Sequence, residues 1–218
     1  MIMKGSYLGE ALPAYLSAHA TQPDQVLRDL AVETTALHAD FAGMQIAPEQ
    51  GTFMTMLVQL TGARLAVEVG TFTGYSSICI ARGLAPGGRL IACDVSEEWT
   101  SMARKYWERA GLTDRIELRL GDAVETLGAM PGDEEIDFAF IDADKGGYPA
   151  YYEALLPRMR PGGLIVCDNT IQGGRITDPD AGGNVPVLRE FNDMVTADPR
   201  VDSVLLPVAD GLTLVRKR

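Results

Sequence analysis

The chain has 218 residues, of which 46% are hydrophobic and 22% are charged, and its formal net charge is −11. This length and composition predict one globular domain with a full hydrophobic core and argue against a disordered chain. The acidic balance disfavours a nucleic-acid partner, since phosphate binding calls for a basic surface, and favours small organic ligands. With no apolar run of membrane-spanning length and no secretory signal, the chain is predicted to be cytoplasmic and free of membrane contact.

The cysteines and histidines show no metal-binding or disulfide pattern. Cys79, Cys93 and Cys167 each lie in an apolar run without C-x-x-C spacing. Their odd number and apolar surroundings predict buried free thiols. His19 and His38 have no metal-binding neighbours in the sequence, so both are predicted to be structural or surface residues.

The first 62 residues are predicted to form a cap of two or three helices, and residues 63–218 the core of the same domain. One candidate apolar stripe in the cap, at helical spacing, consists of Leu27, Leu30, Ala31, Thr34 and either Leu37 or His38. The cap and the core together predict a single domain with extra N-terminal helices.

Strand-like and helix-like runs alternate along the core. Strands are predicted at 64–69, 89–94, 115–120, 136–142 and 164–168, and helices near 75–84, 97–110, 123–130 and 148–159. This alternation is typical of an α/β fold with a doubly wound parallel sheet. Pro-Gly-Gly at 86–88 and at 161–163 predicts a turn after a helix in both places. One buried face is predicted for the second of these helices, formed by Trp99, Met102, Ala103, Tyr106, Trp107 and Ala110.

The last part of the chain is predicted to contain a helix at 187–195 and two strands at 203–208 and 212–215. Asp210-Gly211 between these strands predicts a hairpin. The loop at 172–184, with sequence QGGRITDPDAGGN, is long and glycine-rich for a compact domain. Such loops are often lids over a binding site, and a lid is predicted here.

A glycine loop at 65–77, LAVEVGTFTGYSS, joins a predicted strand to a predicted helix. Phe72 stands where a dinucleotide fingerprint needs its middle glycine, which disfavours a pyrophosphate and therefore a nicotinamide dehydrogenase. A carboxylate fits the helix N-terminus better, where Ser76 and Ser77 can bind it, while Glu68 can bind a neighbouring ammonium group. An α-amino acid joined to a nucleoside is S-adenosylmethionine, which is the predicted ligand.

Acidic or amide residues lie at or just after the ends of five predicted strands, where doubly wound sheets bind their ligands. These residues are Glu68, Asp94, Asp122, Asp142, Asp168 and Asn169. Asp94 is predicted to accept the two hydroxyls of a ribose. Asp122, beside Ala123, is predicted either to bind the adenine amino group or to serve as a helix N-cap.

Three of these residues, Asp142, Asp168 and Asn169, offer oxygen ligands from neighbouring strand ends. Such hard ligands predict Mg²⁺ or another divalent cation in preference to zinc, with positions left open for substrate. Two adjacent hydroxyls of an aromatic ring would chelate there, and their pKa would fall. Lys145, three residues after Asp142, is predicted to take the hydroxyl proton.

The chain resembles the class I metal-dependent O-methyltransferases of the caffeoyl-CoA and catechol type. The matching segments are VEVGTFTGYSS (67–77), CD (93–94), GDA (121–123), FIDADKGGY (140–148), CDN (167–169) and DGLTL (210–214). The resemblance implies a Rossmann-like, seven-stranded sheet whose last strand is antiparallel, and commonly a homodimer. Gln172 stands where the family often has an aromatic residue.

The resemblance also implies roles for individual residues. Cofactor contacts are implied for Glu68, Gly70, Thr71, Ser76, Asp94, Ala123 and Asp144. To these we add Asp122 and Asp142 as predicted cofactor contacts. Metal ligation is implied for Asp142, Asp168 and Asn169, and catalysis for Lys145 as general base, with Asp142 acting beside it.

The predicted function is transfer of a methyl group from S-adenosylmethionine to a hydroxyl of a vicinal-diol aromatic compound, dependent on a divalent cation. Other acceptors that the sequence leaves open are a macrolide, another secondary metabolite and a modified tRNA base. A non-catalytic cofactor-binding module is the alternative from a different class, and it predicts donor binding without methyl transfer.

Overall fold

The structure is a computed structural model that describes residues 11–131 and 135–218. Within these residues, three α-helices precede the first strand: α1 (Ala11–Ala18), α2 (Gln25–Leu37) and α3 (Pro48–Thr61). A 3-10 helix, Ala39–Met44, lies between α2 and α3. The predicted stripe is buried at Leu27, Leu30 and Thr34 and half-buried at Ala31, which packs against the same core, whereas Leu37 at the end of α2 is exposed and the C-cap His38 is half-buried.

The described part of the core forms one seven-stranded sheet. Its strands are β1 (Leu65–Val69), β2 (Arg89–Asp94), β3 (Ile116–Leu120), β4 (Ile136–Ile141), β5 (Met159–Cys167), β6 (Val201–Leu206) and β7 (Leu212–Lys217). The strand order is β3-β2-β1-β4-β5-β7-β6. Strands β1 to β5 pair in parallel, whereas β7 is antiparallel to both of its neighbours, β5 and β6. The predicted fold class is therefore confirmed.

Five further helices among the described residues cover both faces of the sheet. They are α4 (Tyr75–Gly83), α5 (Glu97–Arg109), α6 (Ala123–Gly128), α7 (Tyr148–Leu155) and α8 (Val185–Ala197). Helices α2 to α5 share one apolar core with one face of the sheet, and α6 to α8 share a second core with the other face. In β1, Ala66 packs in the first core while Val67 and Val69 pack in the second, as the alternation of side chains along a strand requires.

The region around the second Pro-Gly-Gly differs from the prediction. Helix α7 ends at Leu155 and a 3-10 turn, Leu156–Arg158, leads directly into β5, so residues 161–163 lie inside a strand. The register between β4 and β5 shifts at this point, which makes the segment a bulge. Asp137 in β4 stabilises the bulge, since its Oδ1 accepts a hydrogen bond from Arg160 Nε at 2.5 Å. The turn predicted at 161–163 was therefore wrong. The contact that stabilises the bulge joins Arg160 to Asp137, and a local sequence pattern cannot reveal a contact between residues so far apart in the chain.

The C-terminal hairpin and the cysteines agree with the predictions. Strands β6 and β7 pair through the turn that contains Asp210 and Gly211, although β6 begins and ends earlier than predicted. Cys79, Cys93 and Cys167 are buried free thiols. Within the described ranges, no helix combines the length and apolar content needed to cross a membrane.

Candidate functional site

The glycine loop is built around two residues that need a left-handed backbone. Gly70 has φ +93°, and a Cβ there would lie 2.2 Å from the carbonyl oxygen of Asp142 in the neighbouring strand end. Gly74 has φ +89° and precedes the first turn of α4. The close approach and the positive φ together explain why glycine is present at both positions.

Asp94 holds the glycine loop in place from the end of β2. Its Oδ2 accepts hydrogen bonds from the amides of Thr71 at 2.9 Å and Phe72 at 2.8 Å, and its Oδ1 accepts from the amide of Ser96 at 2.8 Å. Phe72 has φ +51°, which is costly for a residue with a Cβ, so this bonding also stabilises a strained turn. A carboxylate oxygen has more than one lone pair, so Asp94 keeps acceptor capacity towards a ligand hydroxyl.

A cavity of about 610 Å³ opens at the carboxyl ends of the parallel strands. The predicted site residues that line it are Gly70, Thr71, Ser76, Asp94, Asp122, Ala123, Asp142, Asp144, Lys145 and Asn169. Two other predicted residues, Glu68 and Asp168, are fully buried next to this cavity and do not form part of its lining. The structure thus gathers the predicted residues at one place, while their roles toward ligands stay predictions.

Glu68 lies behind the glycine loop. Its Oε2 accepts a hydrogen bond from the Ser77 hydroxyl of α4. Burial raises the pKa of Glu68 to about 8, against the opposing effect of the hydroxyl groups of Ser76, Ser77 and Thr71. The side chain therefore joins β1 to the start of α4, and direct contact with a ligand ammonium remains a prediction.

Lys145 is fixed by two partners at the edge of the cavity. Its Nζ donates to Asp142 Oδ1 at 2.9 Å and to the hydroxyl oxygen of Tyr148 at 2.8 Å. The Tyr148 hydroxyl in turn donates to the backbone carbonyl of Asp168 at 2.9 Å. Because the Lys145 side chain is only 10% exposed, its Nζ is held in one direction, towards the cavity-lining carboxylate of Asp142.

The donor set predicted for a metal fits a hard divalent cation. Ile141 and Cys167 are paired in the sheet, so Asp142 and Asp168 follow neighbouring strands at the same level. Asp168 is fully buried, and Asn169 next to it has φ +58° and lines the cavity. Two carboxylates and an amide are oxygen ligands of the type that Mg²⁺ prefers. No cluster of three or more His, Cys, Asp or Glu suited to a metal occurs among the described residues, and the predicted set contains only two carboxylates.

Asp122 and Asp144 both act as helix caps. Asp122 Oδ1 accepts from the amide of Glu125 at 2.9 Å, which confirms the N-cap that the sequence allowed. Asp144 Oδ2 accepts from the amide of Gly147 at 2.8 Å, and its Oδ1 accepts from the Tyr151 hydroxyl. Both aspartates also line the cavity, so a cap and a ligand contact are compatible at each position.

An aromatic wall of the cavity was not predicted. Trp99 is half-buried and lines the cavity, with its ring 5.2 Å from that of Phe72 and 5.6 Å from that of Phe41. The predicted buried face of helix α5 is therefore confirmed at Met102, Ala103, Tyr106 and Trp107, whereas Trp99 and the C-cap Ala110 are only half-buried. The sequence did offer one indication that Trp99 could line the site. Trp99 lies in the first turn of α5, the helix that follows the strand ending at Asp94.

Segments from both ends of the chain complete the cavity. Residues 43–46, between α2 and α3, form part of the lining, and spacing alone gave no signal for them. Gln172 and Asn184, the first and last residues of the predicted lid, also line it. The lid is bound to the core through Asp210, which accepts from the Gly173 amide, and through Arg189, which donates to the Ile176 carbonyl at 2.8 Å. Movement of this loop stays a prediction.

A doubly wound sheet with a glycine loop before a helix, and an acidic residue at the end of the next strand, defines the Rossmann-like class of nucleoside-binding proteins. The glycine loop and the Asp142–Lys145 pair also belong to the segments by which the sequence resembles the metal-dependent O-methyltransferases.

Comparison with known proteins identifies the family. Residues 17–218 match the family model described as O-methyltransferase. The chain is 40% identical to "Probable caffeoyl-CoA O-methyltransferase 2" of Dictyostelium discoideum over 93% of this chain and 90% of that protein. It is 35% identical to "Catechol O-methyltransferase" of Niastella koreensis, over 94% and 96% of the two chains.

A solved O-methyltransferase from Bacillus cereus in complex with SAH superposes with a TM-score of 0.87, at 35% identity and covering 97% of this chain and 99% of that one. The chain belongs to the O-methyltransferase family. The predictions of the family, of a transferase of the caffeoyl-CoA and catechol type, and of S-adenosylmethionine as methyl donor are confirmed at this level.

Proposed function

We propose that this protein transfers a methyl group from S-adenosylmethionine to one of two adjacent hydroxyls on an aromatic ring, and that the reaction needs a divalent cation. The observation that carries the proposal is that the glycine loop and the Asp142–Lys145 pair face the same cavity. Donor and nucleophile must meet in one enclosed space for an in-line displacement, and this cavity provides it.

The donor side of the cavity is formed by the glycine loop and the ends of β2 and β3. The Thr71 and Ser76 side chains and the N-terminus of α4 would bind the amino-acid end. Asp94 would accept the ribose hydroxyls, and Asp122 with Ala123 would border the adenine. The solved Bacillus cereus relative contains SAH, which supports this assignment.

The acceptor side is formed by Lys145 and the oxygen donors. Asp142, Asp168 and Asn169 would hold the cation, which would act as a Lewis acid and lower the pKa of the acceptor hydroxyls bound to it. Lys145, oriented by Asp142 and Tyr148, would take the proton from the hydroxyl oxygen that attacks. The half-buried ring of Trp99 and the loop residues around it would keep water from the reacting atoms.

Substitution Asp142→Ala tests the proposal. It removes one cation ligand and one partner of Lys145, so turnover of catechol in Mg²⁺ should fall by at least roughly 100-fold, the lower range of an acid–base contribution. Binding of S-adenosylhomocysteine, measured by calorimetry, should change much less, since other residues hold the donor. Wild-type turnover that is equally fast with excess chelator would contradict the need for a cation.

A panel of acceptors completes this test. Turnover of catechol, caffeic acid and caffeoyl-CoA is compared with that of a macrolide and a modified tRNA, in each case with Mg²⁺ and with chelator. Donor binding without transfer to any catechol would favour a non-catalytic module. A homodimer and a cytoplasmic location also remain part of the proposal, and a sedimentation measurement decides the first.

A further inference from the structure

The loop that follows β5 begins from a backbone that is fixed against the end of the sheet. The amide of Thr170 donates to the Gly211 carbonyl at 3.1 Å, and the carbonyl of Gln172 accepts from the amide of Arg175 at 3.1 Å. A Cβ on Gly211 would clash with the side chain of Ile171, so the two segments lie in close contact. Because the backbone is held on both sides of Gln172, its side chain enters the cavity from a fixed point.

Gln172 uses one end of its side-chain amide and leaves the other end available. Its Nε2 donates to the backbone carbonyl of Asn169 at 3.1 Å. Its Oε1 accepts no hydrogen bond from the residues that the structure describes. Gln172 has φ +52°, a conformation that costs free energy in a residue with a Cβ and that proteins retain chiefly at functional sites. The side chain is half-buried and lines the cavity, so its Oε1 can accept a hydrogen bond from a ligand.

Asn184 lies at the other end of this loop, and its side-chain amide is also available. It is the N-cap residue of α8, a position where asparagine usually accepts a hydrogen bond from an amide of the first helical turn. The side chain of Asn184 forms no such capping bond. It is exposed and lines the cavity. Its amide can therefore both donate to and accept from a ligand.

The aromatic side chains of the cavity come from other elements. Within residues 11–131 and 135–218, the aromatic residues of the lining are Phe72, Tyr75, Trp99 and Tyr151. The rings of Phe72 and Trp99 are in contact, and the Tyr151 hydroxyl donates to Asp144. The loop itself contributes only Gln172 and Asn184 to the described lining. On its loop side, the cavity therefore offers hydrogen bonds in place of an aromatic or aliphatic surface.

In the proposed function, Asn169 helps to hold a cation beside the acceptor hydroxyls. An acceptor ring bound there has Gln172 as a neighbour, because the Gln172 amide is bonded to Asn169. We infer that Gln172 and Asn184 determine acceptor specificity, and that a catechol with a short neutral substituent ending in a hydroxyl is preferred over one with an alkyl group of equal size. This inference rests on the proposed function.

The size of the preference follows from the exposure of these two residues. An amide that meets an alkyl group loses water without gaining a partner, whereas a hydroxyl replaces the lost hydrogen bond. A fully buried polar site rejects the alkyl analogue very strongly. Gln172 is only half-buried and Asn184 is exposed, so water still reaches both amides. The preference should therefore equal the contribution of one net hydrogen bond, roughly 3- to 10-fold.

Two acceptors of equal size test the inference. In 3,4-dihydroxybenzyl alcohol a hydroxyl replaces the terminal methyl group of 4-ethylcatechol, and neither substituent is charged. The values of kcat/KM are compared at saturating S-adenosylmethionine and Mg²⁺, and the alcohol should exceed 4-ethylcatechol by roughly 3- to 10-fold. Equal or faster turnover of 4-ethylcatechol would overturn the inference.

Substitutions at the two residues show which of them carries the preference. Gln172→Met keeps the length of the side chain but removes Oε1, and Asn184→Ala removes an exposed amide. The ratio of kcat/KM for the alcohol to that for 4-ethylcatechol should fall several-fold in each variant. Gln59→Met changes an exposed glutamine of α3 outside the cavity lining and should keep the wild-type ratio. A wild-type ratio in both cavity variants would contradict the inference, and a fall in only one assigns the preference to that residue.

The ratio isolates the substituent from the other effect of Gln172→Met. This variant also loses the bond to the Asn169 carbonyl, and any displacement of Asn169 affects both acceptors alike because they share the same pair of ring hydroxyls.

Binding separates the inference from the proposed function. Calorimetry gives the Kd of both acceptors for the protein with S-adenosylhomocysteine and Mg²⁺, in wild type and in Gln172→Met. If neither acceptor is methylated but the alcohol binds at least roughly threefold more tightly in wild type alone, the proposed function fails and the preference stands. If both are methylated with equal Kd and equal kcat/KM, the proposed function stands and the inference fails. Absence of binding by either acceptor overturns both.

Discussion

Glu68 makes the stability of this protein depend on pH. Its pKa is raised from 4.5 to about 8 in the folded chain, mainly by burial, so between these values the folded state binds a proton that the unfolded state releases. The contribution of Glu68 to the free energy of unfolding is therefore fully present below pH 4.5. This contribution decreases by about 1.4 kcal/mol per pH unit as the pH rises towards 8. In Glu68→Gln this loss should be absent.

The measurement is urea unfolding of the ligand-free protein at several pH values. The difference in free energy of unfolding between Glu68→Gln and wild type should increase from pH 5 to about 8 and level off above it. The glutamine keeps an oxygen that accepts from Ser77, which isolates the effect of charge. A constant difference across the range would mean that Glu68 is ionised in the fold.

Tyr148 is a positioning residue for Lys145. Burial raises the pKa of Tyr148 well above its usual value, and the charges of Asp142 and Asp168 raise it further. The Tyr148 hydroxyl therefore stays protonated and keeps its hydrogen bonds to Lys145 and to the backbone carbonyl of Asp168. Tyr148→Phe removes the acceptor at 2.8 Å from Lys145 Nζ. We expect kcat for catechol to fall by roughly 3- to 10-fold, the value of one hydrogen bond, with the KM for S-adenosylmethionine unchanged.

The pH profile of kcat distinguishes positioning from a general structural effect. If Tyr148 orients Lys145 as the general base, its loss should shift the acid limb of the profile, whereas a merely loosened core would lower kcat equally at every pH. Tyr152, whose hydroxyl is bonded to Asp198 away from the cavity, offers a matched control as Tyr152→Phe. A shift of the same size in that variant would argue against the role of Tyr148.

Among the elements, the loop between β1 and α4 tolerates no side chain at Gly70. A Cβ there would lie 2.2 Å from the Asp142 carbonyl oxygen, so Gly70→Ala must push β1 and β4 apart at the site. Gly111 is a matched control, because it has φ +68° and a Cβ there would meet nothing within 4 Å. Gly111→Ala should cost only the backbone strain, roughly 1–3 kcal/mol.

Calorimetry and unfolding together check this expectation. Gly70→Ala should lose measurable binding of S-adenosylhomocysteine and more stability than the control, and Gly111→Ala should bind it with wild-type affinity. Equal behaviour of the two variants would show that only backbone strain matters at Gly70.

Most elements of the fold were predictable because their signals are local. Short apolar runs and turn residues mark β1 to β4, and parallel pairing then places the acidic strand ends at one edge. The same kind of signal failed at 161–163, because the bulge there depends on Asp137, whose Oδ2 also accepts from the amides of Arg64 at 2.7 Å and Leu65 at 2.9 Å. Such a contact joins residues far apart in sequence.

The site was predictable to the same extent. Its carboxylates follow strands and were found from spacing, whereas its walls come from elements that only the fold brings together. Residues 43–46 and Phe41 come from the N-terminal helices, and no periodicity places them beside Trp99 of α5. Glu68 was correctly located at the glycine loop, but only burial shows that it lies behind the loop.

At the scale of the whole molecule, the N-terminal helices are attached to the core mainly by apolar contacts. Leu27 and Leu30 of α2 share a core with Ile78 of α4, so the N-terminal helices are packed against the sheet that carries the glycine loop. Ion pairs between Asp29 and Arg109 and between Glu33 and Lys105 add surface contacts between α2 and α5. Surface pairs of this kind contribute little, so the apolar contacts dominate this attachment.

Because the lining comes from nearly the whole length of the chain, ligand binding should stabilise all of it. S-adenosylhomocysteine at 100 times its Kd adds about 2.7 kcal/mol, which for a chain of this size raises Tm by roughly 5–10 °C. NAD at the same concentration should leave Tm unchanged, since Phe72 occupies the position where a pyrophosphate needs glycine. Thermal unfolding followed by circular dichroism measures both shifts, and one transition is expected, because α2 and the sheet share a core. A rise in Tm with NAD equal to that with S-adenosylhomocysteine would mean that the loop does not select its ligand by this residue.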